Sequence, residues 1–520
     1  MRLAGTSGKD ALILGIDLGT TSTKAVAYDT RGRMVATSAQ PTVTHYPRPL
    51  WAYFEPEELW DAAASAVRGV VAQIGEPSRI ESVAVASFAE AGVPVDQNGC
   101  PTYNTIAWFD RRSIPQADWL LETVGEQRLF ERSGLALQPI FTLCKLLWLK
   151  ENEPEAWART RGWLMADSYI AWRLGGAPAS DYSQAARTLA FDLQHLEWDT
   201  DLVARAGIDP GILSPVMPAG TAIGSVSAEG AAATGLTKGT IIGVGGHDHV
   251  CGAFAAGVTK HGAVLDSMGT AEALFVALDA PIWDPDLGRM GYTQGAHVAA
   301  GQYYGFGGLY TSGASVDWVR NITGREDRRS LAGAAAGIPP GSNGATFLPH
   351  LRLSSPPNID PKARGAFLGL TTDIDQASLV RAVYEGIAYE ARMSVEPLVR
   401  FAGIDTLPDI TVIGGSSRND LLLQIKASVT NRPHHILGLH EATALGGALL
   451  GGLAAGIYRD ATDVKATVEV ASTTIEPNPS ATAFYEDFYQ NVYKQLYSTL
   501  KPLNHAIYDQ VVDLAIESIG

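Results

Sequence analysis

The chain has 520 residues, of which 46% are hydrophobic and 18% charged, an ordinary globular composition long enough for two or more domains. A formal net charge of −16 argues against nucleic acid and anionic membranes as partners, though an anion can still be bound in a local pocket. Cys100, Cys144 and Cys251 follow no metal or disulfide spacing, and "MRLAGTSGKD" has no apolar core of a signal peptide, so a cytoplasmic protein is expected.

The first element signal is "LILGIDLGTTSTKAVAYD", Leu12 to Asp29. Two apolar β-rich runs flank a turn, and "DTRG" leads to a third run, "RMVATSAQ", so an antiparallel meander is expected. The spacing is not that of a P-loop, which needs a lysine and a hydroxyl opening a helix. Gly19 lets the backbone approach an anion, and Thr20, Thr21, Ser22 and Thr23 offer N–H and O–H donors. Asp17 would repel a bare phosphate but could hold a hydrated Mg²⁺ that neutralises one. A Thr-rich hairpin with a turn aspartate explains the same residues without a ligand. Both readings stand at this point.

"EPEELWDAAASAVRGVVAQI" has the proline and acids of a helix start, and "IESVAVASFA" is the strand after it. "TIAWFDRR", Thr105 to Arg112, reads as a strand running into a charged turn. "GTIIGVGGHDHVCGAFAAGV" places Asp248 after a strand and two glycines, at the start of a small-residue helix. An aspartate there is either a helix cap or a carboxylate at a cleft that accepts a hydroxyl proton. On the second reading, Gly245 and Gly246 leave room for a substrate. His247 and His249 flank the acid, but their side chains are expected to diverge, so no transition-metal site is read here.

Ala263 to Asp279, "AVLDSMGTAEALFVALD", repeats the opening plan roughly 250 residues later. Gly269 and Thr270 take the places of Gly19 and Thr20, and Ser267 that of Asp17. Two related domains facing across a cleft are expected. The copy with the acid would carry the metal, and the other could touch nucleotide phosphate directly. Farther on, "DITVIGGSSRNDLLLQIKASVTNRP" reads as strand, loop, helix and stop, with Gly414 and Gly415 before a helix that begins near Asn419. "TALGGALLGGLAAGIY" is too short for the ~20 residues of a membrane span and reads as a buried helix packed through glycine and alanine. Mixed α/β layers follow from this rhythm. Expected boundaries are 1–258, 259–460 and a helical tail over 461–520.

These pieces together resemble the FGGY-type carbohydrate kinases of the actin-like ATPase superfold, over about Leu12 to Tyr458. "TLCKLLWLKENEPE" carries one family signature through Lys145, Trp148, Glu151 and Asn152, and the stretch from Gly365 through Glu385 carries another. Ile140 and Ser378 depart from those patterns. The resemblance implies two actin-like (ribonuclease H-like) α/β domains with mixed sheets, ATP and sugar meeting in the cleft, and a homodimer. By position, it implies Asp17 as the Mg²⁺-linked acid, with Gly19, Thr20, Thr21 and Lys24 in the first phosphate turn. It implies Gly269 and Thr270 in the second, Gly414, Gly415 and Asn419 on the adenosine side, and Asp248 as the catalytic base. Glu90, Trp108, Asp110 and Arg111 match substrate contacts. The implied substrate is a ketose such as a pentulose or deoxyketose, or alternatively a polyol of the glycerol or erythritol type. A non-catalytic nucleotide-gated protein of the same superfold is the other reading.

Overall fold

The computed structural model describes residues 10–324 and 328–517. The segment 1–9, read above as carrying no signal peptide, lies outside them. In the first half, β1 (Leu12–Leu18), β2 (Ser22–Asp29) and β3 (Met34–Pro41) form the expected antiparallel meander. Helix α1 (Pro56–Ile74) follows, started by proline with Glu57 and Glu58 in its first turn. β4 (Ile80–Ser87) then returns parallel to β1. Helix α2 (Thr142–Asn152), β5 (Ala222–Ser225) and β6 (Ile241–His247) complete this half, giving a six-stranded sheet ordered β5-β6-β4-β1-β2-β3. Helix α3 (Asp248–Ala255) leaves the end of β6.

The second half repeats the scheme. β7 (Val264–Met268) and β8 (Glu272–Leu278) form a hairpin, extended by β9 (Thr293–Ala296) and β10 (Tyr303–Leu309). After α4 (Gly313–Thr323) and α5 (Gln376–Phe401), β11 (Ile410–Ile413) runs parallel to β7 as β4 does to β1. Helix α6 (Asp420–Thr430), β12 (His434–Leu437), α7 (Ala442–Ala454) and β13 (Ser472–Ile475) follow. The second sheet is β9-β10-β8-β7-β11-β12-β13. The segment after 460 is therefore not wholly helical, because β13 pairs antiparallel with β12 at its edge.

The Gly/Ala helix α7 is buried, as its composition implies, but on the opposite lobe from its neighbours in sequence. A Cβ on Gly15 of β1 would lie 1.8 Å from the Ala444 carbonyl oxygen, so α7 touches the first sheet backbone to backbone. A Cβ on Gly446 would lie 2.0 Å from the Cys251 carbonyl oxygen, which brings α3 equally close. α3 and α7 thus form a layer between the two sheets. Its apolar core joins Ile13, Val26 and Ala84 of the first lobe to Leu265, Phe275 and Ile413 of the second. A helix covered on both sides needs no polar face, which is why α7 resembled a membrane segment. No helix among the described residues is long and apolar enough to cross a membrane.

His434 of β12 is fully buried, and burial presses its imidazole down to about 3. The unfolded chain binds that proton near pH 6.5 and the folded chain does not. Its contribution to stability is therefore complete above pH 6.5 and is lost as the pH falls toward 3. Buried acids with raised values, such as Asp167 at about 8, slope the other way, so the comparison must be with a variant. Between pH 6.5 and 4.5 the wild type is expected to lose stability relative to His434→Leu by up to about 1.4 kcal/mol per pH unit. Denaturant midpoints measured across that range check this.

Candidate active site

Asp17 stands near the end of β1, opposite Lys24 across the hairpin, and the turn is closed by the Gly19 N–H donating to Ser22 O at 3.3 Å. Thr20 is half-buried and Thr21 exposed on its outer side. Burial and the Asp248 carboxylate raise Asp17 to about 7, partly countered by Lys24, so the acids of β1 and α3 share one neighbourhood. Lys24 differs from expectation. Its ammonium is held by Glu441 at 2.7 Å, because Glu441, just before α7, is brought against β2. Lys24 therefore ties β2 to the inter-lobe layer.

Asp248 is the first residue of α3 and does not cap it. The cap position is His247, in an extended conformation with no side-chain capping bond. The Asp248 Oδ1 accepts from the His249 N–H at 2.6 Å and lies 3.1 Å from His247 Nε2. Burial holds His247 well below its usual value, aided by His249 and Arg187, which favours the neutral imidazole beside the Asp248 carboxylate. The two rings do not diverge as expected; their centres are 5.6 Å apart, edge to face. The reason is the change of direction at the cap, where His247 still belongs to the strand. The two glycines also differ from their expected use. A Cβ on Gly245 would meet Val85 O at 1.7 Å and one on Gly246 would meet Val298 at 2.6 Å. They make room for protein, not for a substrate.

Glu90 follows β4 in a left-handed conformation, φ 61°, which is strained for a residue with a side chain. Buried groups pin it there. The Lys145 Nζ and Thr142 Oγ1 of α2 donate to Glu90 O at 2.9 and 3.1 Å. Burial lowers Lys145 to about 8. The Glu90 carboxylate is gripped by Arg187, with Nε and Nη2 each 2.6 Å from Oε1. Glu90 and Arg187 both act electrostatically on Asp248. Burial raises Asp248, with Glu90 adding to the shift and Arg187 opposing it.

Trp108 and Arg111 are exposed beside this region, and Trp108 packs edge-on against Phe109. Asp110, expected among the substrate contacts, is fully buried. Its carboxylate is consumed by the Ala52 N–H and by the guanidinium and N–H of Arg112. It holds the turn that carries Trp108 and Arg111.

On the second lobe, the Gly269 N–H donates to Ala271 O at 2.9 Å, closing a turn one residue shorter than the first. Gly414 has φ 103°, and a Cβ there would meet Met268 O at 2.4 Å, so it packs β11 against β7. Gly415 faces open space, whereas Asn419 caps α6 by accepting from the Leu422 N–H. A small cavity of about 30 Å³ lies between the lobes. It is lined by His249 and Gly252 of α3, Thr443 of α7, and Ser267, Phe306 and Ile413 of the second sheet.

Among the described residues, no group of three or more His, Cys, Asp or Glu is arranged to hold a metal ion. Mg²⁺ does not need one, because it commonly takes one or two carboxylates and completes its shell with water and phosphate. The mutually repelling acids Asp17 and Asp248 fit such a cation.

Two lobes of one plan, each with a Gly-Thr turn, and an acid in the layer between them define a two-domain phosphotransferase of the actin-like ATPase fold. Comparison with known proteins agrees. Residues 12–255 match the N-terminal domain, and residues 264–455 the C-terminal domain, of the FGGY family of carbohydrate kinases, and the chain belongs to that family. It is an ATP-dependent carbohydrate kinase. The xylulose kinase of Lactococcus lactis is 28% identical over 498 residues, covering 95% of this chain and 98% of that one. A glycerol kinase of Citrifermentans bemidjiense is 32% identical over 456 residues, covering 86% and 90%. The crystal structure of xylulose kinase from Rhodospirillum rubrum superposes with a TM-score of 0.86 at 28% identity, covering 95% of this chain and all of that one.

Proposed function

We propose that this kinase phosphorylates a ketose, xylulose or a related pentulose or deoxyketose, with Asp248 as general base. The observation that carries the reading is the disposition of the Asp248 carboxylate. Both of its close contacts, from His247 and His249, fall on Oδ1, which leaves Oδ2 to take the proton of a hydroxyl as that oxygen attacks phosphorus. Glu90, Trp108 and Arg111 contact the sugar. Gly19, Thr20, Thr21, Gly269 and Thr270 hold the phosphates of ATP, and Gly414, Gly415 and Asn419 flank its adenosine. Mg²⁺, held by Asp17, would supply positive charge to the transferring phosphoryl group. A homodimer belongs to the same reading, and sedimentation equilibrium tests it.

The second reading is a polyol kinase of the glycerol or erythritol type. Glu90 favours it, since a fixed carboxylate suits a chain of hydroxyls, and so does the likeness to a glycerol kinase. A phosphorylation screen over xylulose, ribulose, fuculose, rhamnulose, glycerol and erythritol decides between the two. The ketoses are expected to give the highest kcat/KM; a polyol ahead of all four would replace the first reading with the second.

The metal assignment has its own test. Mg²⁺ with ADP is expected to raise the melting temperature of the wild type more than ADP alone. In Asp17→Asn the Mg²⁺ increment disappears and the Mg²⁺ concentration for half-maximal turnover rises about tenfold or more, the scale of one lost charge-assisted contact. An unchanged increment would place the metal elsewhere.

A further inference from the structure

We infer that Lys426 is a positioning residue for the second phosphate turn, acting through Asp266 and Glu272 on either side of Gly269–Thr270. The inference rests on the reading of that turn as an ATP phosphate site. Lys426 lies on α6 beneath the β7–β8 hairpin with its side chain 1% exposed. Its ammonium bonds the Asp266 carboxylate of β7 and, at 2.6 Å, Glu272 Oε1 of β8. One buried cation thus clamps both strands of the hairpin just below its turn.

The clamp extends to the other side of the turn. The second Glu272 oxygen, Oε2, accepts from Ser312 Oγ at 2.7 Å, and Ser312 is the residue before α4. From there the Ser312 and Ala314 N–H groups donate to Thr270 O at 3.2 and 3.0 Å, and the Gly313 N–H donates to Gly269 O at 3.1 Å. A Cβ on Gly313 would come within 2.5 Å of Gly269 O, so the approach is as close as a backbone permits. The start of α4 takes the turn's carbonyls, the ends of its peptide dipoles that would repel a phosphate.

The first lobe shows that the fold does not require these charges. The residue matching Asp266 in the first hairpin is Ile16, which is fully buried among apolar neighbours. A buried ion pair is commonly no more stabilising than well-packed apolar side chains of similar volume. Burying a lysine with two carboxylates in one lobe, where the other uses an isoleucine, is better explained by geometry needed at the turn than by stability.

The test compares Lys426→Met and the charge-balanced Lys426→Met/Glu272→Gln with wild type and with Thr270→Val. Calorimetry with the non-hydrolysable analogue Mg·AMPPNP and with the acceptor, D-xylulose or glycerol as the screen selects, gives the two dissociation constants. Both Lys426 variants are expected to bind the nucleotide about tenfold or more weakly, the loss of one charge-assisted hydrogen bond, with acceptor binding within twofold of wild type. A folded variant with wild-type nucleotide binding overturns the inference. So does equal weakening of both ligands, or failure of both variants to fold, since each marks Lys426 as part of the fold's support. Thr270→Val separates the levels. If it leaves nucleotide binding unchanged, the reading of the turn fails and the inference falls with it. If it weakens binding while the Lys426 variants do not, only the inference fails.

Discussion

Asp248→Asn is expected to lower kcat by about 10²–10⁴-fold, the usual contribution of a positioned general base, while the protein stays folded. Asparagine keeps an oxygen to accept from the His249 N–H, and Asp248 makes no capping bond whose loss would open α3. It also removes one of two neighbouring acids, so the variant is expected to be at least as stable as wild type where Asp17 is ionised. That combination separates catalysis from structure. Circular dichroism and a melting curve report the fold, and coupled detection of ADP with the acceptor reports turnover. A kcat within tenfold of wild type in a folded Asp248→Asn protein would remove the general-base role.

The repeat of the two hairpins was legible because it depends on local signals: alternation of apolar residues, a glycine at the turn, and order along the chain. What could not be read were relations between distant positions. Nothing near "QAART" marks Arg187 as the partner of Glu90, 97 positions away, and nothing near "STKAV" points to Glu441 as the partner of Lys24. Glycine is ambiguous for a different reason. Gly245 and Gly246 lack side chains because Val85 and Val298 occupy the space, yet a ligand would ask for the same residues. Asp110 does carry a local signal. Arg112, two residues on, is near enough in sequence to mark the acid as half of an internal pair. The composition of α7 marks it as buried, but its place on the first sheet follows from Gly15, which only the three-dimensional arrangement brings against Ala444.

Arg187→Met is expected to be the most destabilising single change at the site. The guanidinium bonds the Glu90 carboxylate through two nitrogens and is itself buried, so its removal leaves a carboxylate in a dry site close to Asp248. Breaking a buried pair from one side typically costs about 3–5 kcal/mol, mostly the penalty of the orphaned charge. Glu90 is buried and its left-handed backbone is held by Lys145 and Thr142, so the orphaned carboxylate has little access to water. Removing that charge as well, in Arg187→Met/Glu90→Gln, is therefore expected to restore most of the lost stability. Activity is expected to stay low in the double variant. On the proposed reading of Glu90 as a sugar contact, the acceptor would lose the carboxylate that Arg187 holds in place. Urea midpoints and kcat/KM for the three variants, including Glu90→Gln alone, complete the cycle. If Arg187→Met is as stable as wild type, or if the double variant is no more stable than Arg187→Met, the penalty of an orphaned Glu90 is not what holds this pair together.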